Sequence, residues 1–413
     1  MKIGYLIPEF PGQTHIFFWR EMRALQECGI VTELVSTQLP DSKIISHEWA
    51  ENLRKQTVYM YPPPLRALFG ALGAALRAGP RRLLRCVQMV MGAEGGFADR
   101  LKTLPLAFFG AQLAWIARTK GWRHLHVHSC GNSAHIAAFA HELSGLSFSM
   151  TLHGPLRDYG PNQKQKWRRA TFAIVITRQL LEEVERTLVG NLPAVIKVAP
   201  MGVDLDRFRR TASYEPWIGD GPCRLFTCGR LNPCKGHDDL IRAVDLMVKR
   251  GTDVHLRIAG EDAGDGSHRR DLEGLITELK LEDRVELLGA VSEAAVMREL
   301  EAAHLFALAS LAEPLGVVIM EAMAMQVPVV VTGTGGVPEL IDDGTDGLLV
   351  PPRDPERLAA AAESVLRNPA LAKRLSGAGL LKVERGFSSK RSAEIISECL
   401  NGSSEGTRAI GKE

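Results

Sequence analysis

The chain has 413 residues, 45% of them hydrophobic and 24% charged, so it is globular in composition and long enough for two domains with separate cores. Its seven cysteines are scattered and odd in number, with no CxxC pair, which argues against a disulfide framework and for free thiols in the cytoplasm. The net charge of +2 hides an asymmetry: residues 1–190 carry 23 Lys+Arg against 14 Asp+Glu, and residues 191–413 carry 27 against 34. The basic first half calls for an anionic partner surface, either a membrane or a phosphate-bearing substrate, and no nucleic acid is expected.

The apolar run of "MKIGYLIPEFPG" is too short for a signal peptide, and Thr103–Ala117 falls short of the roughly 18 apolar residues of a spanning helix. Strands are predicted at "KIGYLI", "VTELVS", "TVYM", "LHVH", "FSMTLH", "AIVIT" and "AVIKVA", with helices between most of them and the longest pair within Leu65–Lys120. Pro, Gly and charge replace periodicity over Pro200–Pro222, the expected boundary. Beyond it, strands at "RLFTCG", "HLRIAG", "RVELLG", "HLFALAS" and "VPVVVT" alternate with helices starting near His237, His268, Ser292, Pro314 and Pro338. A last helix is expected around Ser392–Leu400. Such alternation, occurring twice, implies two doubly wound α/β domains with parallel sheets and ligands beyond the C-terminal strand ends.

Three loops carry candidate chemistry. In "EPLGVVIMEAM", Pro314 suits a first helical position and Gly316 lets an anion approach a helix N-terminus. Glu313 and Glu321, eight residues apart, would lie up to about 12 Å apart along one helix. The plainer reading is a core helix with Glu321 at its solvated edge. "CGRLNPCKGHDDL" places Arg230 and Lys235 after a strand, where two cations could hold a diphosphate or simply be solvated. "TGTGGVPELI" is a glycine loop whose amides could line a polar cleft, or a tight turn, and it is not a dinucleotide fingerprint. His124, His126 and His128 alternate along one strand face, but no carboxylate or cysteine stands at a fixed offset, so no metal site is expected. His128 and His153 read as cleft residues. Asp204 and Asp206 form a DxD inside the linker and are discounted as metal carriers.

The segments "TLHG", "PMGVDLDRF", "CGRLNPCKGHDDLI", "RIAGE", "EPLGVVIMEAMAMQVPVVVTGTGGVPELI" and "DGTDGLLVPPRDPERLAAA" together resemble, in order and spacing, family 4 of the retaining, nucleotide-sugar-dependent glycosyltransferases. The resemblance covers nearly the whole chain and implies a GT-B fold. Its expected parts are an acceptor-binding Rossmann-like domain at 1–200, a linker at 201–222, a donor-binding one at 223–388, and a terminal helix and tail at 389–413 that could pack back on the first. It implies that Glu313 contacts the donor sugar and Glu321 the ribose, and that Arg230 and Lys235 bind the diphosphate. Gly316, Val317 and Gly12 are grouped with the donor site, and His153 matches the histidine near the reacting sugar. The N-terminus resembles the exopolysaccharide and colanic-acid branch, where Phe-Pro is followed by Ser-Glu-Thr-Phe. Here Phe10-Pro11 is followed by Thr14, His15, Ile16 and Phe17, with His15 in place of the acid.

The implied reaction moves a hexose-type sugar, with retention, from a UDP- or GDP-sugar to a glycan or lipid-diphosphate-linked acceptor, with no cofactor and no metal. The rivals are a non-catalytic sugar-nucleotide or glycan-binding subunit, which turnover would refute, and a phosphorylase with a pyridoxal-phosphate lysine. Residues 64–123, with ten basic side chains and two acids, read either as core helices or as a peripheral contact with the anionic inner face of the membrane.

Overall fold

The structure, a computed structural model, describes residues 1–12, 15–40, 49–262 and 264–410. The chain forms two compact units, one of Met1–Asp41, Glu51–Pro200 and Ser392–Glu413, the other of Ser42–Ala50 and Met201–Arg391.

In the first unit β1 (Lys2–Glu9), β2 (Val31–Gln38), β3 (Val58–Tyr61), β4 (His124–Val127), β5 (Ser147–Leu152), β6 (Phe172–Val175) and β7 (Ile196–Val198) form one parallel sheet. Their order is β3-β2-β1-β4-β5-β6-β7. Helices α1 (Ile16–Glu27), α2 (Ala50–Gln56), α3 (Leu65–Met91), α4 (Phe97–Leu101), α5 (Leu104–Lys120), α6 (Asn132–Ser144), α7 (Gln163–Trp167) and α8 (Arg178–Thr187) connect them. A parallel sheet covered on both faces needs strands apolar throughout, which is why all four residues of "FAIV" in β6 are buried. The direction of strand addition reverses between β1 and β4, where Tyr5 pairs with His126.

The second unit repeats the plan with β8 (Cys223–Cys228), β9 (Val254–Ala259), β10 (Val285–Gly289), β11 (Leu305–Leu308), β12 (Val329–Thr332) and β13 (Leu348–Val350). Their order is β10-β9-β8-β11-β12-β13, so the reversal lies between β8 and β11. Its helices are α9 (His237–Lys249), α10 (Ser267–Glu278), α11 (Glu293–Ala302), α12 (Val317–Ala324), α13 (Val337–Leu340), α14 (Pro355–Leu366) and α15 (Pro369–Gly386). Leu225, Ile241, Val244, Leu256, Ile258, Leu305, Val330 and Leu375 are among the residues of one buried core. Side-chain caps set helix starts: Asp354 accepts from the Arg357 amide at 3.0 Å and Asn368 from Leu371 at 3.1 Å. The last helix, α16 (Ser389–Ile410), belongs to the first unit from Ser392 onward.

All twelve expected strands are present, and β13 is an addition. The start expected at Pro314 is corrected. Gly316, with φ 87° and ψ 72°, is the N-cap of α12, which begins at Val317. That left-handed conformation cannot continue a helix backwards, so Glu313 stands in the preceding loop, Gly316 is outside the first turn, and the axial spacing expected between Glu313 and Glu321 does not apply.

The Leu65–Lys120 region is core in part, as expected, and exposed in part. Helix α3 breaks at Gly79 (φ 75°), ahead of Pro80, which removes a helical donor. Ala67, Ala71, Met89 and Val90 are buried, but Leu65 and Phe69 are each 75% exposed and Leu76 73%. Leu65, Phe69, Leu72 and Leu76 recur at helical spacing on one outward stripe.

Candidate active site

In the second unit the loops after β8 and β11 meet across the reversal point, the position where doubly wound sheets bind ligands. Lys235, from the loop after β8, lies with its Nζ 2.5 Å from Glu313 Oε2, from the loop after β11. Ser310 Oγ donates to the same carboxylate oxygen at 3.2 Å. Glu313 is buried, so the lysine and the hydroxyl meet its need for partners. The glycine loop after β12 closes the arrangement. The Gly336 amide donates to the Glu313 carbonyl at 3.1 Å, and a Cβ on Gly335, which has φ 56°, would stand 2.2 Å from that oxygen. Only glycine allows this approach.

Arg230 is exposed at the end of β8 and has no ion-pair partner among the described residues. Glu321 is buried at 6% exposure on α12, where the helix-edge reading had it solvated. It neighbours Cys228, whose thiol is pushed up to about 12 by burial and then by the Glu321 charge, with Lys235 opposing. Arg230, Lys235, Glu313, Gly316, Val317 and Glu321 thus gather along β8, β11 and α12, with free helix amides available at the start of α12. His237, first residue of α9, was not singled out from sequence. It is 1% exposed, and neither ring nitrogen finds a hydrogen-bond partner among the described residues. Burial, then His268 and Lys235, lower its pKa to about 3.

Gly12 and His153 belong to the first unit. Gly12 follows β1 and accepts from the His15 amide at 3.1 Å. Thr14 of the N-terminal motif lies outside the described residues, and the His15 ring stacks on Phe10 at 6.2 Å. His153 follows the end of β5 beside His128, which follows the end of β4: His128 Nδ1 and His153 Nε2 are 3.1 Å apart. His128 Nε2 lies 3.1 Å from Glu21 Oε1, and the Tyr5 hydroxyl donates to that oxygen at 2.6 Å. Burial lowers the pKa of His128 to about 3. Burial, then His128, does the same to His153, with Glu21 opposing.

The three strand histidines share one face as expected, and hydroxyls occupy two of them. Ser147 Oγ gives its hydrogen to the Arg123 carbonyl at 3.2 Å, so His124 Nδ1, 2.8 Å away, must donate to it. His124 Nε2 then accepts from Ser149 at 2.8 Å. With its hydrogen spent, Ser149 accepts from His126 Nδ1 at 2.7 Å, leaving His126 Nε2 to accept from Thr151 at 3.0 Å. Among the described residues one trio with metal-ligand character emerges, Glu21, His126 and His128, with ligand atoms within 4.8 Å. Its carboxylate comes from α1 and not from a fixed offset along β4, so sequence spacing could not reveal it. Both His126 nitrogens are engaged by Ser149 and Thr151, and neither offers a lone pair to an ion.

Residues 216–380, most of the second unit, match the family model "Glycosyl transferases group 1". The "Putative colanic acid biosynthesis glycosyltransferase WcaL" of Salmonella typhimurium is 27% identical over 378 residues, covering 87% of this chain and 89% of that protein. The alpha-D-kanosaminyltransferase of Streptomyces kanamyceticus is 30% identical over 322 residues, 68% of this chain and 82% of that protein. Among solved structures, Anabaena Alr3699/HepE in complex with UDP and glucose superposes with a TM-score of 0.75 at 20% identity, covering 97% of this chain and 100% of that one. This two-sheet architecture is the GT-B fold. The chain therefore belongs to the glycosyl transferases of group 1 and is a glycosyltransferase.

Proposed function

We propose that the enzyme moves a hexose-type sugar, with retention of anomeric configuration and without metal, from a UDP- or GDP-sugar to a glycan or lipid-diphosphate-linked acceptor in exopolysaccharide or cell-envelope polysaccharide synthesis. The observation that carries this reading is the Lys235–Glu313 pair at the reversal between β8 and β11, flanked by exposed Arg230. A departing diphosphate needs positive charge, and Arg230, Lys235 and the first amides of α12 can supply it. Glu313 contacts the transferred sugar, buried Glu321 takes the ribose hydroxyls, and His153 stands beside the reacting sugar. The departing phosphate itself helps to deprotonate the acceptor hydroxyl on the same face. The colanic-acid relative supports the polysaccharide setting, and the UDP and glucose bound by HepE support a nucleotide-sugar donor.

The acceptor reading includes peripheral attachment to the inner face of the cytoplasmic membrane. No helix of the described residues is long and apolar enough to cross a membrane. The exposed stripe of α3 is flanked by exposed Arg66, Arg77, Arg81 and Arg85, an arrangement suited to an anionic interface. Mass-spectrometric screening of UDP- and GDP-sugars against lipid-diphosphate acceptors tests the function. A product of one added hexose is expected, and donor hydrolysis alone with every acceptor would refute it.

A further inference from the structure

The reversal point of the first sheet holds a buried polar chain that runs from α1 to the end of β5. Tyr5 on β1 and Ser392 on α16 donate to the two oxygens of Glu21, at 2.6 Å and 3.4 Å. His128 Nε2 faces Oε1 at 3.1 Å, and His128 Nδ1 faces His153 Nε2 at 3.1 Å. Glu21 and His128 are buried, and nothing in the proposed donor chemistry uses either of them.

The chain has a direction. His128 Nε2 lies 3.1 Å from the carboxylate oxygen but off the line of a hydrogen bond; a lone pair this close to a carboxylate would be repelled, so this nitrogen carries the hydrogen. A neutral imidazole has one hydrogen, so His128 Nδ1 is left as an acceptor. It must then be filled by the hydrogen of His153 Nε2. His153 Nδ1 is left as a lone pair, and this atom has no hydrogen-bond partner among the described residues. The neighbouring ladder isolates the arrangement: His126 is held by Ser149 and Thr151 and cannot serve as an alternative partner for His128. A lone pair repels phosphate oxygens and accepts hydroxyl hydrogens.

We propose that Glu21 and His128 are positioning residues that fix His153 in the Nε2–H tautomer, so that its Nδ1 accepts a hydrogen bond from a substrate hydroxyl instead of donating one to a phosphate. The proposal rests on the reading of His153 as a residue beside the reacting sugar. Removing a partner that orients a metal-ligating histidine costs about 10- to 100-fold, and the same scale is expected for His153.

The test joins a spectrum to a set of variants in the full-length enzyme. Long-range 1H–15N correlation of histidine-labelled protein should show His153 with Nε2 protonated and Nδ1 bare, and His128 likewise. In Glu21→Gln, whose amide offers a donor as well as an acceptor, and in His128→Asn, the His153 signals should move toward a mixture of tautomers. Both variants should lose about 10- to 100-fold in kcat with KM for the donor changed less than about threefold. The double variant His128→Asn/His153→Ala should be no slower than His153→Ala alone, because the effect runs through His153. A wild-type spectrum with hydrogen on His153 Nδ1 overturns the proposal, as does full additivity of the two substitutions. So does one equivalent of tightly bound zinc at Glu21, His126 and His128, found by metal analysis of the protein exposed to zinc. His153→Ala with unchanged kcat would remove the reading of His153 near the reaction, while the spectrum would still report whether the tautomer is set. If Glu21→Gln does not fold, the wild-type spectrum and His128→Asn decide.

Discussion

Lys235 Nζ lies 2.5 Å from Glu313 Oε2 and so joins two loops 78 residues apart in sequence. The pair is largely withdrawn from water, with side-chain exposures of 17% and 7%. Removing one partner of such a pair leaves a buried charge uncompensated.

Arg230 and Lys235 should therefore fail differently. Arg230→Ala should weaken affinity for the nucleotide sugar by about 1.5 to 3 kcal/mol, the scale of a lost charged hydrogen bond, and change stability by less than about 0.5 kcal/mol. Lys235→Ala should show the same loss of affinity and also destabilise the fold by up to about 3 kcal/mol through unpaired Glu313. Calorimetric titration with the nucleotide diphosphate and urea unfolding give the two quantities. Unchanged affinity in both variants would remove these residues from the donor site.

On the proposed reading transfer should proceed fully in excess EDTA, with Arg230, Lys235 and the partial positive charge of the α12 N-terminus neutralising the leaving diphosphate. Initial rates with and without chelator check this. Activity abolished by EDTA and restored by Mn²⁺ or Mg²⁺ alone would show that a metal does that work.

Co-sedimentation with liposomes should separate the stripe of α3 from an ordinary surface. Binding is expected to anionic but not to neutral vesicles, falling as salt screens the arginines. Arg77→Glu with Arg81→Glu should abolish it, as should Phe69→Ser with Leu76→Ser. Arg82 is less suited to the test because its guanidinium donates to the Leu143 carbonyl at 3.1 Å. Wild-type protein that stays in the supernatant at low salt would end the peripheral-membrane reading.

Stability should fall on acidification because of the buried histidines. Burial lowers the pKa of His124 from 6.5 to about 3. Between those values the unfolded chain binds a proton that the folded chain refuses, so the contribution is present above the ordinary value and is lost as pH falls toward 3. At about pH 5 the loss is about 2 kcal/mol for one such group. Urea midpoints should drop between about pH 7.5 and 5. His124→Gln should be less stable at the higher pH but drop less. An equal drop in the variant would mean that His124 is not the titrating group.

The candidate residues of the second unit could be singled out in sequence because they fall within two short contiguous stretches: Arg230 and Lys235 are five residues apart, and Glu313 and Glu321 eight. It misplaced the start of α12 because Pro314 is a good first helical residue on local grounds, while the left-handed Gly316 that delays the helix is set by the surrounding loops. It missed β13, whose three residues are too few to show a period. The Glu21–His128–His153 chain was out of reach for a different reason. Its members come from α1, β4 and β5, and only sheet pairing brings them within hydrogen-bonding distance. Two charged residues within a helix that also buries apolar side chains, Arg20 and Glu21 among Phe18, Ala24 and Leu25, were the one available signal.

The contact of Gly335 with the Glu313 carbonyl also limits how this enzyme can be re-engineered. The lips formed by the loops after β11 and β12 are interlocked through their backbones, so they cannot diverge independently. A library that seeks a new donor sugar by randomising the "TGTGG" loop would return mostly inactive clones, because any side chain at 335 displaces Glu313 as well. Variation is better placed at the half-buried Val317 or Thr334, with the glycine left untouched.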